Sequence, residues 1–140
     1  MLVRLLYASR AAQPYSAEVL DNILAQSHKH NPERGLTGIL CYSGDIFIQV
    51  LEGGRSAVNA RYKHIIDDPR HKDVMLLSYT EITERHFAGW SMGQVNLHRL
   101  NPALMLKYGE STKLDPYAMS GATLMKLFEE LVNSGAIVCA

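Results

Sequence analysis

Runs of apolar residues broken by turn-forming residues divide this chain into strands. In the first run, period-two alternation places Val3, Leu5 and Tyr7 on one face of a predicted strand. Two later runs flank the turn signal Ser43-Gly44-Asp45 and predict a β-hairpin. Five strands are expected in all, over residues 2–7, 36–42, 46–52, 74–82 and 91–95.

Apolar residues at helical spacing separate these strands. The first helix is predicted to begin after Ser16, a favourable N-cap, and to end near His30 and Asn31, because Pro32 biases its predecessor out of the helical region. The second helix is predicted over residues 56–66, with an apolar side made of Val58, Tyr62, Ile65 and Ile66. C-terminal helices are predicted from Asn101-Pro102 onward and over residues 120–132.

The order β-α-β-β-α-β-β indicates an α+β fold of the ferredoxin-like type, with a mixed sheet and two helices on one face. Such a sheet leaves its second face uncovered, so we expect the C-terminal helices to pack there. We therefore expect a single domain over residues 1–97, with residues 98–140 as a helical extension that packs on the sheet and forms no separate domain.

Composition limits the classes of function. The chain has 140 residues, 47% of them hydrophobic, and its 14 basic residues balance its 14 acidic ones. This balance argues against direct nucleic-acid binding and against attachment to an anionic membrane. No signal peptide or membrane-spanning run is visible, and Cys41 and Cys139 form no metal or disulfide motif, so we expect a cytoplasmic protein with reduced thiols.

Two polar residues interrupt the expected core. Gln49 shares a strand face with Phe47 and Leu51, and an unsatisfied amide there costs on the order of 1–3 kcal/mol. Tyr7 lies on a strand that we expect to be its neighbour, so a bond from the Tyr7 hydroxyl to the Gln49 amide would satisfy part of each group. The alternatives stay open: a backbone partner for Gln49, a plain core aromatic at Tyr7, and a simple helix cap at Asn31.

Metal and nucleotide motifs are missing from the sequence. The histidines are not spaced as a ligand set, and His64 and His71, at the end of the second helix, are expected to be surface residues. Neither a GxGxxG loop nor a Walker A loop is present, and no Ser or Cys carries a nucleophile signature. No metal is therefore expected, and an enzyme would lack an evident base.

Five segments carry a resemblance to a known family: LLYASR at Tyr7, HNPERGLTGIL after the first helix, FIQVLEG at Gln49, DDPRHKDV after the second helix and FAGWSM at Trp90. In this order, over roughly the first hundred residues, they resemble the BLUF family of blue-light sensors that use flavin. The short remainder is similar to the stand-alone bacterial type. The resemblance implies a noncovalent flavin, usually FAD, between the two helices, although FMN or riboflavin would also fit.

The resemblance also assigns roles to residues. It implies that Tyr7 and Gln49 are the photochemical pair and that Asn31 binds the polar edge of the flavin ring. Because family members often carry a polar residue after this asparagine, no contact from Pro32 is expected. The other implied positions are Ile23 and Ile65 flanking the ring, Asp68, Arg70 and His71 near the pyrimidine edge and ribityl chain, and Trp90 and Met92 in a light-responsive fifth-strand region.

In the mechanism that the family implies, Tyr7 supplies an electron and a proton after illumination. Gln49 then rearranges by rotation, tautomerisation or both, and the fifth strand passes the change to the C-terminal helices. The sequence leaves open which rearrangement occurs, whether the Trp90 ring points into the site, which downstream protein responds, and whether a homodimer forms.

The expected function is thus a photosensory switch without enzymatic turnover. Two alternatives remain on the same fold. One is a flavin-dependent enzyme, which would need a substrate opening and a base. The other is a non-photoactive regulatory module that binds a different small molecule, with Gln49 as a structural amide.

Overall fold

A five-stranded mixed sheet in the order β4-β1-β3-β2-β5 forms the centre of the computed structural model, which describes residues 1–13 and 16–138. Four strands pair antiparallel, and β5 runs parallel to β2. The strands are β1 (Leu2–Ala11), β2 (Thr37–Ser43), β3 (Ile46–Gly54), β4 (His71–Ile82) and β5 (Gly93–Asn96). The predicted hairpin, the mixed sheet and the α+β ferredoxin-like class are confirmed.

The first helix runs further than Pro32 predicted. Helix α1 spans Ala17–Arg34 and contains Pro32 in its last turn, so the prediction of an end near Asn31 is wrong. Gly35, in the left-handed conformation, ends the helix, and the Leu36 amide donates back to the Asn31 carbonyl at 2.9 Å. This is the Schellman arrangement, in which glycine supplies the positive φ angle that ends a helix. Asn31 is therefore a helical residue, and its side chain is not needed as a cap.

The remaining helices lie close to their predicted positions, and the predicted cap at Asn101 is confirmed. Helix α2 (Arg55–Asp67) follows β3 directly, α3 (Pro102–Tyr108) is capped by Asn101, and α4 (Gly121–Ser134) is capped by Ser120 and ends at left-handed Gly135. The apolar side of α2 is narrower than predicted. Val58 and Ile65 are buried, but Ile66 is exposed because it points about 100° around the helix axis from Ile65.

Two hydrophobic cores lie on opposite faces of the sheet. In the first core, Tyr7 and Leu51 of the sheet pack against α1 and α2 through residues such as Ile23 and Ile65. In the second core, the other face packs against α3 and α4, and it includes the predicted α4 stripe of Leu124, Leu127, Phe128 and Leu131. The expected cover by the C-terminal helices is confirmed. Alternation along the strands explains the division, since Leu5 and Leu6 face opposite sides.

Cys41 is a buried thiol of the second core, and burial raises its pKa, which makes it unreactive. Cys139 lies outside the described residues. Among the described residues, no helix has the length and apolar character needed to cross a bilayer, and no group of three or more His, Cys, Asp or Glu residues could hold a metal.

A buried carboxylate joins the sheet to the segment that follows β4. Glu52 of β3 is fully buried and accepts a hydrogen bond from Arg4 Nε at 2.8 Å. The same carboxylate accepts from the backbone amides of His86 at 3.1 Å and Phe87 at 2.7 Å. Phe87 in turn stacks edge-on against Phe128 of α4. Glu52 therefore holds the β4–β5 connection against both the sheet and the C-terminal helices.

We expect Glu52→Ala to lower the free energy of unfolding by about 3–5 kcal/mol, because it leaves the Arg4 guanidinium and two backbone amides without their acceptor. Urea unfolding followed by circular dichroism measures this change. Glu81→Ala is the matched control, since Glu81 pairs with Arg55 on the surface and is expected to change stability by less than about 1 kcal/mol. Equal losses in the two variants would contradict the role assigned to Glu52.

Candidate functional site

Tyr7 and Gln49 form a buried polar pair in the middle of the sheet. They lie directly opposite each other in the β1–β3 register, and both side chains belong to the face covered by α1 and α2. The Tyr7 hydroxyl donates to Gln49 Oε1. Burial raises the pKa of the Tyr7 phenol above its ordinary value, so the hydroxyl stays protonated in the resting protein. The bond expected from the sequence is therefore present.

The other end of the Gln49 amide reaches the chain that enters β5. Gln49 Nε2 donates to Met92 Sδ at 3.3 Å, and Met92 is fully buried in the first core. A thioether sulfur is a weak acceptor, so this bond is easier to exchange than the one to Tyr7. Gln49 thus links β1, which carries the phenol, to the segment before β5.

Helix α1 is hydrogen-bonded to the same segment before β5. Asn31, in the last turn, is buried and donates from Nδ2 to the Ser91 carbonyl at 2.7 Å. One turn earlier, His28 Nε2 lies 2.9 Å from the Met92 carbonyl. Two successive carbonyls before β5 are therefore bonded to α1, and the Met92 side chain next to Ser91 connects this segment to Gln49.

Asp68, Arg70 and His71 lie together where α2 leads into β4. Arg70 donates to the Asp68 carboxylate from its backbone amide and from its guanidinium. Burial alone would raise the pKa of Asp68, but these hydrogen bonds outweigh it and hold that pKa below its ordinary value. His71 shares a 2.8 Å hydrogen bond between Nδ1 and Ser9 Oγ, and its ring meets Phe47 edge-on.

His71 is half-buried, contrary to its expected place on the surface, because its ring covers the end of the first core. Burial lowers the pKa of His71, with a partly opposing effect from Asp68. The imidazole is accordingly neutral near pH 7. The expectation failed because the sequence does not show that β4 begins at His71, directly beside β1.

Trp90 and Met92 lie on opposite faces of the sheet. Met92 points toward Gln49 in the first core, whereas Trp90 packs at the edge of the second core with Ile137 as a neighbour. The Trp90 carbonyl accepts a hydrogen bond from the Gly38 amide at 3.0 Å, which ties it to β2. The structure therefore places the Trp90 ring away from the Tyr7–Gln49 pair.

The space between α1 and α2 combines aliphatic surface with polar groups. Ile23 and Ile65 contribute aliphatic side chains to the core under the two helices, and Asn31 lines a cavity of about 180 Å³ between the helices whose other lining residues are also polar. Aliphatic surface beside a few fixed polar groups is typical of cofactor sites. A larger cavity of about 470 Å³ lies far away, at the β2–β3 turn beside α3, and includes none of the predicted site residues.

Sequence reasoning missed several partners in this region. His28, Ser9, Ser91 and Tyr62 all touch predicted site residues, and the Tyr62 ring centre lies 5.7 Å from that of Tyr7. Only Tyr62 had been placed on the correct face by its helical spacing. The contacts of the others depend on how α1 and the β4–β5 connection meet, and no local signal reports this.

Comparison with known proteins identifies the family. A family model described as "Sensors of blue-light using FAD", named BLUF, matches residues 2–93, which is more than half of the chain. The chain belongs to the BLUF family. It is a blue-light photoreceptor domain that uses FAD, as the resemblance in the sequence had implied.

Individual BLUF proteins are similar over different lengths. The dark-state structure of BlrB is 31% identical in sequence, with a TM-score of 0.80 and 96% of each chain covered. The photo-activated state of BlsA is 30% identical, with a TM-score of 0.83, and the match covers 94% of this chain and 95% of that one. Photoactivated adenylate cyclase subunit beta from Euglena longa is 36% identical over 65% of this chain. The blue light- and temperature-regulated antirepressor BluF from Escherichia coli is 28% identical over 80% of it.

The chain spans only 11% of that cyclase subunit and 28% of the antirepressor, so it corresponds to the sensor portion of these longer proteins. The residues present fit a flavin. The Asn31 amide offers a donor and an acceptor, which suits the alternating carbonyl and N–H groups of the flavin ring edge. The Tyr7 phenol and the Gln49 amide are buried on the sheet face that α1 and α2 cover.

We expect the free energy of unfolding to fall as the pH drops below about 6.5, the ordinary histidine pKa in the unfolded chain. The pKa of His71 is lower in the folded protein, so the unfolded state binds more protons in this range. The contribution is fully present above pH 6.5 and is lost progressively toward the lowered pKa. Urea unfolding between pH 5 and 8 measures it.

His71→Gln is expected to reduce this pH dependence, because it removes the imidazole whose pKa is lowered in the folded protein. A slope that is the same in the parent and in His71→Gln would contradict the assignment.

Proposed function

We propose that this BLUF protein detects blue light through a change in the hydrogen bonds of Gln49, driven by the Tyr7 phenol. One observation carries the proposal: the Gln49 amide is bonded to Tyr7 through its oxygen and to Met92 through its nitrogen, in a buried setting. A carboxamide has an acceptor at one end and a donor at the other. Any rearrangement of this amide therefore changes the hydrogen bonds that it makes with both Tyr7 and Met92.

When bound, the flavin supplies the light-absorbing ring and the electron acceptor. Tyr7 is the proposed donor of an electron and of its hydroxyl proton, and takes both back as the cycle closes. Because burial raises the pKa of the phenol, the proton does not leave before the electron does. Burial also excludes water, so Gln49 is the neighbour that receives the changed hydrogen bond from Tyr7.

The flanking residues are proposed to hold the cofactor. Asn31 is the partner of the polar ring edge, and Ile23 and Ile65 enclose the ring from α1 and α2. We propose that three further residues line the pyrimidine edge and the ribityl chain: Asp68, Arg70 and His71. Their support is the hydrogen-bonded group that they form with Ser9 at the end of the first core.

Tyr7→Phe is expected to bind flavin but to lose the light-induced red shift of the absorption bands, because the ring still fills its place while the hydroxyl is absent. Gln49→Leu is expected to bind flavin and to show no normal shift. Absorption spectra of purified protein before and after blue light measure both effects.

Tyr62→Phe is the matched control, since it removes a phenol 5.7 Å away in ring-to-ring distance from Tyr7. It is expected to keep the dark-reversible shift. A complete photocycle in Tyr7→Phe or in Gln49→Leu would overturn the proposed roles, and a colourless protein that takes up no flavin would overturn the function.

We further propose that the segment Trp90–Gly93 carries the signal. Gln49 and Asn31 bond to it from the site, and the Trp90 side chain packs in the second core on the opposite face. At its end, Gln94 exchanges two backbone hydrogen bonds with Val138, at 2.8 and 2.9 Å. Trp90 and Met92 are thus proposed as signalling residues, because Met92 is two residues from Gln94, whose backbone is hydrogen-bonded to Val138 shortly after α4.

Hydrogen exchange is expected to become faster in the light at the Gln94 and Val138 amides, because their paired bonds lie directly after Met92. Residue-resolved exchange in the dark and under illumination measures this. The Met92→Leu variant removes the sulfur acceptor of Gln49 and is expected to reduce the difference, while keeping the flavin. No light-dependent change anywhere from Ser91 to Val132 would contradict this route.

Residues 1–97 are proposed to be the photosensor domain and residues 98–140 its packed extension, and we propose that this unit senses light without turnover of its own. The output would then be binding to a downstream protein, and not direct contact with nucleic acid or a membrane. The cytoplasmic location and a homodimer stay predictions.

A further inference from the structure

The outer edge of β5 is covered by a short segment of the chain that follows α4. Gln94 of β5 forms an antiparallel bridge with Val138 through two backbone hydrogen bonds of 2.8 and 2.9 Å. Within the described part of the chain, these are the only hydrogen bonds between residues 136–138 and β5. Val138 itself is 57% exposed. We name residues 136–138 the edge segment, and a single residue pair attaches it to the sheet.

The pairing between β5 and the edge segment stops after this bridge. An antiparallel ladder that pairs Gln94 with Val138 would place Asn96 opposite Ala136, two residues further along β5. The structure instead has a cavity of about 260 Å³ there, which is lined by both of these residues and by Arg99. The free edge of β5 is therefore longer than the segment that covers it.

A glycine at the start of β5 makes room for the edge segment. A Cβ atom at Gly93 would lie 2.5 Å from Ile137 Cγ2 and 3.2 Å from the Trp90 ring, so the missing side chain leaves the space that Ile137 fills. Ile137 and Trp90 both pack against the second core. The edge of β5 thus holds a β-branched side chain over Gly93, beside an indole ring.

Arg99 adds a positive charge to the same edge. It is the one charged residue that lines the cavity beside β5. The edge segment has the sequence Ala-Ile-Val and brings no carboxylate to this guanidinium. A strand with an acidic residue in the place of Ala136 would complement the charge, because guanidinium and carboxylate groups form strong charge-assisted hydrogen bonds.

We propose that the outer edge of β5 is a docking site for an extended segment of a partner protein, and that the edge segment occupies this site in the dark. The partner segment adds to the sheet as a sixth strand, with a β-branched residue over Gly93 and an acidic residue toward Arg99. This inference rests on the proposed function, in which the signal passes through Met92, directly before Gly93. A shift of Met92 moves the surface on which Ile137 rests.

The attachment of the edge segment suits such an exchange. One exposed residue pair and one half-buried isoleucine hold it on β5. A longer strand that pairs with both Gln94 and Asn96 would form more backbone hydrogen bonds than it displaces. An uncovered strand edge is a ready template for another extended chain, so release of the edge segment creates the docking site.

The test uses the flavin-loaded full chain and a synthetic peptide of residues 134–139 that carries Ala136→Glu and Cys139→Ser. A red-excited dye on the peptide reports binding by fluorescence anisotropy in the dark and under blue light, and the absorption red shift is recorded on the same sample. The peptide is expected to bind at least about fivefold more tightly in the light, because the edge segment has left. The same peptide with Ala136→Lys is the charge control and is expected to bind about threefold more weakly at low salt.

Three variants of the protein locate the peptide on the edge. Ile137→Ala weakens the edge segment and leaves the groove intact, so the peptide is expected to bind it in the dark as tightly as it binds the illuminated parent. Val132→Ala is the matched control, since it shortens an aliphatic side chain of α4 outside the edge segment, and it is expected to keep the light dependence. Gly93→Ala fills the space for the β-branched residue and is expected to abolish binding in both states.

The outcomes separate this inference from the function on which it rests. Equal affinity of the parent in the dark and in the light, no gain of dark binding in Ile137→Ala, or normal binding by Gly93→Ala overturns the docking site, while an intact red shift leaves the sensor standing. If the illuminated chain dimerises in sedimentation experiments and excludes the peptide, a second copy occupies the edge, which also overturns the inference. Failure of the proposed function would appear earlier, as a missing red shift before any peptide is added.

Discussion

The hydrogen bond from Tyr7 to Gln49 constrains how the strands of the sheet can be arranged. An amide and a phenol lie in the apolar centre of a sheet, where each depends on the other because water is excluded. The β1–β3 register brings them face to face, and that register is kept by apolar neighbours on both sides. Any displacement of one strand relative to the other would leave two buried polar groups unsatisfied.

The sheet separates the first core, which contains the Tyr7–Gln49 pair, from the second core under the C-terminal helices. One face holds the polar pair under α1 and α2, and the other is packed against α3 and α4. Trp90 and Met92 precede β5 in an irregular segment whose backbone turns one side chain to each face, so this segment touches both cores. Glu52 has a related position, since it joins β3 to the backbone beside Phe87, which packs on α4.

Local patterns predicted the elements well, and tertiary contacts account for what they missed. Alternation placed Tyr7 and Gln49 on one face, and the turn at Gly44 fixed the hairpin, because both signals act over a few residues. Pro32 misled because the left-handed Gly35 three residues later decides where α1 ends. The partner of His28, the Met92 carbonyl, lies 64 residues further along the chain, and no short-range pattern records such a contact.

The glycine-capped end of α1 restricts insertions and deletions within this helix. Leu36 donates to the Asn31 carbonyl, while the Asn31 amide is bonded to Ser91, so this residue is held through its backbone and its side chain at once. One residue more or fewer in α1 before Asn31 would turn its side chain by about 100° around the helix axis. This part of the protein therefore accepts substitutions far more readily than insertions or deletions.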